Sequence, residues 1–246
     1  MNEHAIKKIL ITGANGFIGG SLMRYYQNHG QDTVGVDLIG NDDDIVEGDI
    51  SQPDTISQQL QECDVIIHTA ALVSNAMQDS DMWQVNVLAT RNLIQAAKEH
   101  KVRRFVQISS IVAYGNSAEG ELDETHPVHA DGGSYVLTKL ASEHVVLSEQ
   151  ANDDIEVVII RPGDAYGPGS RPWIIAPLEA IAKNQFMLPE KGEGFFRPIY
   201  IDDLVRGIAM ASRHPDAAGE IFNLSCEGYM FTKDYFTPHY RWLGKL

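Results

Sequence analysis

Two side chains in the middle of the chain have the types and the spacing required for proton transfer. Tyr135 and Lys139 are four residues apart in the predicted helix 135–148, so both lie on one face of it. A phenol has an ordinary pKa of about 10 and is a poor base at neutral pH. A nearby ammonium stabilises the phenolate and lowers that pKa. The pair is therefore a candidate for general acid–base chemistry, and the alternative is an exposed helical pair without that role.

A glycine-rich turn near the N-terminus predicts a binding site for a dinucleotide. Gly13, Gly16 and Gly19 follow an apolar run with the spacing GxxGxxG. One glycine allows the tight turn, another lets the backbone approach a pyrophosphate, and the third lets helix and strand pack closely. The predicted helix 17–29 then offers free N–H groups to the phosphates. The residues expected to contact the dinucleotide here are Gly13, Asn15, Gly16, Phe17, Ile18 and Gly19.

An acidic residue at the end of the next predicted strand indicates which dinucleotide is bound. Asp37 lies 24 residues after Gly13, close to the spacing of a ribose-binding carboxylate. Such a carboxylate accepts hydrogen bonds from the 2′ and 3′ hydroxyls and would repel a 2′-phosphate, so NAD is favoured over NADP. The alternative is a turn aspartate at a strand end. Asp49 and Ile50 are predicted to border the adenine, although Asp49 is nearly as well explained as a helix-capping loop residue.

These candidate residues require a scaffold of strands and helices in alternation. Continuous apolar strands alternate with amphipathic helices through the first half of the chain, which predicts a parallel sheet covered on both faces. This is the doubly wound α/β (Rossmann) architecture, whose ligands bind beyond the carboxyl ends of the strands. The predicted strands are 6–12, 33–37, 65–69, 104–109, 155–160 and 221–224. Residues 1–168 are predicted to form this domain, and residues 169–246 a small C-terminal lobe interleaved with it.

Composition narrows the class of protein and of partner. The chain of 246 residues has a formal net charge of −15, which disfavours binding to a phosphate backbone, so no nucleic acid partner is expected. Cys63 and Cys226 match no metal or redox spacing, and we expect no metal site. No apolar run approaches the roughly 18 residues that span a bilayer, and residues 1–8 lack the apolar core of a signal peptide. We therefore expect a cytoplasmic protein with a small-molecule substrate.

Further motifs follow in an order that identifies a superfamily. They are His68-Thr69-Ala70-Ala71, Asn86, Ser109-Ser110, Arg161-Pro162 and Tyr166-Gly167-Pro168. Together with the glycine turn and the Tyr–Lys pair, they make the sequence similar to the extended short-chain dehydrogenase/reductase superfamily. This superfamily includes the NAD-dependent epimerase/dehydratase and 3β-hydroxysteroid dehydrogenase families. The resemblance runs from about Ile6 to the C-terminus.

The resemblance implies roles for individual residues. Ser110, which precedes Tyr114-Gly115 by four, is expected to hydrogen-bond the reacting oxygen. Tyr135 exchanges the proton, Lys139 also binds the nicotinamide ribose, and Asn86 supports this catalytic set. The remaining residues that the resemblance places beside the cofactor are His68, Ala70, Ala71 and Pro162.

Departures from the superfamily pattern bear on the substrate. Asp164 stands where nucleotide-sugar enzymes usually have asparagine, and Arg197 is either a remnant of their arginine signature or a surface residue. Phe195, Phe196 and residues 173–175 would suit a hydrophobic substrate or the core of the lobe. Ala89 replaces a usual glycine near Asn86.

The function expected from the resemblance is NAD-dependent interconversion of an alcohol and a ketone, in the manner of 3β-hydroxysteroid dehydrogenases. The alternatives are a nucleotide-sugar epimerase or dehydratase and a non-catalytic NAD-binding sensor. Superfamily members usually continue beyond the helix that 233–243 begins. The sequence therefore suggests a truncated chain, or a shortened lobe whose pocket is more open or is completed by another subunit. A homodimer formed through helices 83–100 and 135–148 is also expected.

Overall fold

A computed structural model describes residues 6–41, 44–73, 78–115, 120–151 and 154–245. The chain divides into two compact units. The sheet unit comprises Met1–Arg161 and Val205–Asn223, and the small unit comprises Pro162–Leu204 and Leu224–Leu246. This division differs from the predicted boundary at residue 168, because the chain returns at Val205 to complete a helix and a strand of the sheet unit.

A seven-stranded sheet forms the centre of the sheet unit. Its strands are β1 Ile9–Thr12, β2 Thr33–Asp37, β3 Ile45–Glu47, β4 Val65–His68, β5 Arg104–Ile108, β6 Glu156–Pro162 and β10 Ile221–Leu224. Their order across the sheet is β10-β6-β5-β4-β1-β2-β3. Strands β1 to β6 are paired in parallel, with β1 lying between β2 and β4. The chain therefore reverses its direction of winding between β1 and β4, the switch point at which doubly wound sheets bind ligands.

Helices connect these strands. The predicted helix 83–100 begins earlier, at Asp79, and continues through a π-helical segment, Gln84–Ala89, into its last part. The helices of the sheet unit are α1 Phe17–Asn28, α2 Ser57–Gln61, α3 Asp79–Trp83, α4 Thr90–Glu99, α5 Ser134–Gln150 and α7 Ile201–Arg213. None of the helices in the described ranges has the length and the apolar character needed to cross a membrane.

Burial explains why the central strands consist almost entirely of apolar residues. Leu10 in β1 belongs to a core cluster that includes Leu93 of α4 and Val146 of α5. Ile9 and Ile11 point to the opposite face of the strand and are also fully buried. Both faces of the sheet are therefore covered, as the sequence predicts for a parallel sheet.

The small unit is built around aromatic side chains. Its elements are α6 Ala176–Ala182, α8 Thr232–Trp242, the parallel pair β7 Asp164–Tyr166 and β9 Pro198–Tyr200, and the antiparallel pair β8 Phe195–Phe196 and β11 Met230–Phe231. Phe196, Tyr235 and Phe236 form its core, and Trp173 packs on Phe196 with ring centroids 4.8 Å apart. Phe195, on the other face of β8, is 62% exposed.

Candidate active site

In the glycine turn after β1, backbone atoms lie so close to Gly13 and Gly19 that a side chain at either position would clash with them. Gly13 has φ +67°, and a Cβ there would lie 2.8 Å from the Ala70 backbone. A Cβ on Gly19 would lie 2.2 Å from the Gly13 carbonyl oxygen. No side chain within the described ranges caps α1, which begins after Gly16. The open turn and the uncapped N–H groups of α1 thus fit a pyrophosphate.

Asp37 is fixed beside this turn by hydrogen bonds from the backbone. One of its carboxylate oxygens accepts from the N–H of Asn15 at 2.9 Å, and the other accepts from the N–H of Leu38 at 2.8 Å. The Asn15 side chain in turn donates to the Ile39 carbonyl oxygen. The carboxylate is half-buried, and each oxygen keeps acceptor capacity for a ribose hydroxyl.

The other predicted cofactor contacts have different surroundings. Ile50 is 8% exposed and packs in the core cluster, and Asp49 accepts a hydrogen bond from the N–H of Ser51 at 2.8 Å. Ala71 is half-buried in the loop after β4. Pro162 ends β6. Contacts of these four residues with the cofactor stay predictions.

His68 lies beside Thr12, the residue before the glycine turn, in a chain of hydrogen bonds. The Thr90 hydroxyl donates to the Asn86 carbonyl oxygen at 2.8 Å, so it accepts from Nε2 of His68 at 2.9 Å. Nδ1 of His68 then accepts from the Thr12 hydroxyl at 2.7 Å. Burial lowers the pKa of His68 to about 3, with a smaller contribution from the charge of Lys139, so the ring is neutral. The structure gives His68 a supporting position, and its predicted contact with the cofactor stays a prediction.

Ser110, Tyr135 and Lys139 come together where β5 ends against α5. Ser110 follows the end of β5 and lies beside Tyr135, where its hydroxyl favours the ionised form of the phenol. The Lys139 ammonium donates to the Ile108 carbonyl oxygen at 2.9 Å and lies 6.0 Å from the centre of the Tyr135 ring. The parallel sheet and the helix thus assemble the set that the sequence motifs predict.

Burial dominates the protonation of this set. It raises the pKa of the Tyr135 phenol, and the hydrogen bond from Ser110 opposes this shift only in part. The pKa of Tyr135 is therefore shifted upward, opposite to the direction expected from Lys139 alone, because burial outweighs an ammonium that is bound to a carbonyl oxygen of β5. Burial lowers the pKa of Lys139 to about 8, against the opposing charge of Glu143. At neutral pH Tyr135 is a phenol, and Lys139 is mostly an ammonium.

Asn86 holds two segments around the catalytic set. Its side-chain oxygen accepts from the N–H of Leu72 at 2.7 Å, and its amide donates to the Leu72 carbonyl oxygen at 3.0 Å. The same amide donates to the Thr138 hydroxyl on α5 at 3.1 Å. Asn86 is 2% exposed and connects the loop at Leu72 to α5, and its predicted supporting role in catalysis stays a prediction.

A buried ion pair next to the set is missing from the sequence-based prediction. Glu143 binds the Arg161 guanidinium through both carboxylate oxygens, at 3.0 and 2.7 Å, and Ser109 donates to Glu143 at 2.5 Å. Lys139 and Glu143 are four residues apart, as are Tyr135 and Lys139. This repeated spacing on α5 is the signal that could have identified Glu143.

The small unit contains a half-buried carboxyl group and a partly unsatisfied guanidinium. Asp164 accepts a hydrogen bond from the N–H of Arg197 at 3.1 Å, and burial raises the pKa of Asp164 to about 6. The Arg197 guanidinium lies 5.4 Å from the centre of the Phe195 ring. Its Nη1 is buried without a hydrogen-bond partner among the residues that the structure describes. Arg197 could therefore pair with an anion from a ligand.

The fold and the assembled Ser–Tyr–Lys set define an enzyme of the extended short-chain dehydrogenase/reductase class. The chain belongs to the NAD dependent epimerase/dehydratase family, whose model matches residues 9–225. This membership confirms the superfamily, the enzyme class and the NAD dependence predicted from the motifs. The doubly wound fold is confirmed by the sheet and by similar solved structures.

Individual relatives have different activities. The chain is 30% identical over 236 residues to UDP-glucose 4-epimerase of Vibrio cholerae, covering 89% of this chain and 70% of that protein. It is 27% identical over 225 residues to 3 beta-hydroxysteroid dehydrogenase/Delta 5-->4-isomerase of Mycobacterium tuberculosis, covering 84% and 60%. The structure of MoeE5 in complex with UDP-glucose and NAD superposes with a TM-score of 0.87 at 26% identity, covering 96% and 82%. Similarity thus extends to enzymes of both classes.

Proposed function

We propose that this protein interconverts a secondary alcohol and a ketone with NAD, releasing the oxidised or reduced product. The observation that carries the proposal is the contact of Ser110 with Tyr135, next to the buried ammonium of Lys139. The glycine turn and Asp37 support NAD as the cofactor, through an open pyrophosphate cradle and a fixed ribose acceptor.

The protonation states of Tyr135 and Lys139 indicate what each residue does in the proposed reaction. When bound, NAD supplies the nicotinamide ring that accepts or returns the hydride. In the direction of reduction, the Tyr135 phenol donates its proton to the carbonyl oxygen while Ser110 hydrogen-bonds that oxygen. In the direction of oxidation, Tyr135 first releases its proton to solvent. The phenolate, whose charge the Lys139 ammonium stabilises, then accepts the proton of the alcohol hydroxyl. Because the pKa of Tyr135 is raised, the phenol holds its proton at neutral pH, the form that reduction requires.

A second candidate is a nucleotide-sugar epimerase or dehydratase, in which NAD is reduced and reoxidised within one turnover. The observation that favours it is the buried Nη1 of Arg197, which lacks a partner among the described residues and suits an anionic ligand. Net NADH production distinguishes the two candidates, since only the dehydrogenase accumulates reduced cofactor.

A homodimer and a cytoplasmic location stay predictions.

Substitution of Tyr135 tests the proposed chemistry. We expect Tyr135→Phe to abolish turnover, because the phenyl ring has no proton to exchange, while NADH affinity stays within about threefold, about 0.7 kcal/mol. Turnover is measured by NADH absorbance with sterols, aryl alcohols and nucleotide sugars, and binding by nicotinamide fluorescence. Tyr25→Phe in α1 is the matched control and retains turnover. Full activity in the Tyr135→Phe variant would refute the mechanism.

A further inference from the structure

One face of α5 fixes three consecutive residues at the end of β5. Tyr135 lies beside Ser110, the Lys139 ammonium donates to the Ile108 carbonyl oxygen, and Glu143 accepts from the Ser109 hydroxyl. Because these helix residues are spaced by four, they stack along one side of α5. The proposed function uses Tyr135 and Lys139, and Glu143 completes the same row without touching the reacting groups.

The Glu143 carboxylate is buried, and both of its oxygens accept hydrogen bonds. Its Oε1 accepts from Ser109 at 2.5 Å and from Nε of Arg161 at 3.0 Å, and its Oε2 accepts from Nη2 of Arg161 at 2.7 Å. Both charged side chains are almost completely buried, with 2% of Glu143 and 3% of Arg161 exposed. The geometry allows neither side chain to move without breaking charge-assisted hydrogen bonds.

Arg161 also reaches the far end of the segment that carries Ser110. The short 3₁₀ turn Ile111–Tyr114 starts directly after Ser110, and its last residue, Tyr114, accepts a hydrogen bond from Nη1 of Arg161 at 3.0 Å. The guanidinium centre lies 4.8 Å from the Tyr114 ring centre. Arg161 therefore binds the segment at Tyr114 directly and at Ser109 through Glu143.

We propose that the Glu143–Arg161 pair is a positioning device for the proposed reaction, which sets the location of the Ser110 hydroxyl and the charge on Lys139. This inference rests on the proposed function. Stability alone is a weak reason for such a pair, because apolar residues of similar volume often replace a buried ion pair without loss. The position of Glu143 one turn beyond Lys139 supplies a second reason, since its negative charge favours the ammonium against burial.

Three variants separate positioning from folding. Ser109→Ala removes one hydrogen bond to Glu143 and leaves the ion pair intact. Glu143→Gln removes the charge and keeps an acceptor for Ser109. The double variant Glu143→Met with Arg161→Met replaces the pair by apolar side chains of similar length, and it folds even if the unpaired Arg161 of the Gln variant prevents folding. Glu149→Gln, on the same helix, breaks the half-buried pair with Lys98 and is the control.

Two measured quantities, kcat and the titration midpoint of Lys139, are expected to change in the Glu143 variants and to stay unchanged in the Glu149→Gln control. The first is kcat, which we expect to fall at least tenfold in Glu143→Gln and in the double variant, and several-fold in Ser109→Ala, with KM for NADH changed less than about threefold. The second is the titration of Lys139 in protein with ¹³C-labelled lysine side chains, assigned by Lys139→Met. Its midpoint moves to lower pH in Glu143→Gln, and the alkaline limb of the kcat profile moves with it.

The outcomes distinguish the inference from the function on which it rests. Absence of turnover by the parent protein with every alcohol, ketone and nucleotide sugar would count against the proposed function. The Lys139 titration would then still decide the inference, because it needs no substrate. An unchanged titration of Lys139 in Glu143→Gln would overturn the inference. A double variant that folds and keeps the parent kcat would also overturn it.

Discussion

Asp164 offers a quantitative test of how burial controls charge in the small unit. The carboxyl group accepts the N–H of Arg197, and burial raises its pKa to about 6. An aspartate in an unfolded chain has a pKa of about 3.9. Asn at this position keeps an oxygen acceptor for the Arg197 N–H and cannot ionise. We therefore expect Asp164→Asn to stabilise the protein at neutral pH.

The sign and the size of the effect follow from proton linkage. Between about pH 4 and pH 6 the folded protein retains a proton on Asp164 that the unfolded chain has released, so the stability of the parent falls as the pH rises. A difference of about two pKa units corresponds to about 3 kcal/mol, which is the upper limit for the loss above pH 6. The gain in Asp164→Asn is thus near zero at pH 4 and about 2 to 3 kcal/mol at pH 7.

Urea unfolding at several pH values measures this gain. Trp173, which packs on Phe196 in the same unit, reports unfolding by its fluorescence. The exposed Asp32 supplies the matched control, because Asp32→Asn removes a solvated carboxylate and is expected to give a constant difference of less than about 0.5 kcal/mol. A difference between Asp164→Asn and the parent that stays flat from pH 4 to pH 8 would refute the reasoning.

Two substitutions test the cofactor turn. We expect Gly19→Ala to weaken NADH binding at least tenfold, about 1.4 kcal/mol, because the new methyl group lies 2.2 Å from the Gly13 carbonyl oxygen. Gly133→Ala meets no atom within 4 Å and is the control; equal affinity of both variants in a fluorescence titration would contradict the role of the turn. Asp37→Ala is expected to weaken NADH and to narrow its advantage over NADPH, and an unchanged ratio of the two affinities would show that Asp37 does not bind the ribose.

The sheet unit could be predicted well because its strands differ from their surroundings in local sequence. Residues buried on both faces, such as Ile9, Leu10 and Ile11, give uninterrupted apolar runs. The small unit lacks this signal. Its strands β8 and β11 contain two residues each, too few for any period, and their pairing depends on partners more than thirty residues apart.

The start of α3 was also missed, for a different reason. Asp79 and Asp81 occupy its first turn, where acidic side chains interact favourably with the helix dipole. Apolar periodicity, on which the predicted start at residue 83 rests, does not register this interaction. The π-helical segment that follows includes Asn86, whose carbonyl oxygen accepts the Thr90 hydroxyl inside the helix. The acidic first turn and the π-helical segment both leave the spacing of the apolar residues almost unchanged. Apolar periodicity in the sequence therefore predicts neither of them.

In the candidate site too, the features that could be predicted depend on residues close together in the sequence, and those that could not depend on residues far apart in it. Tyr135 and Lys139 belong to one helix, so their spacing alone places them on a common face. The partners of Glu143 and His68 belong to other elements, and only the parallel register brings Arg161 or Thr12 to them. Spacing also gives no measure of burial. For this reason the sequence predicts that Lys139 lowers the pKa of Tyr135, whereas the folded protein raises it, because desolvation outweighs an ammonium that is bound to the Ile108 carbonyl oxygen.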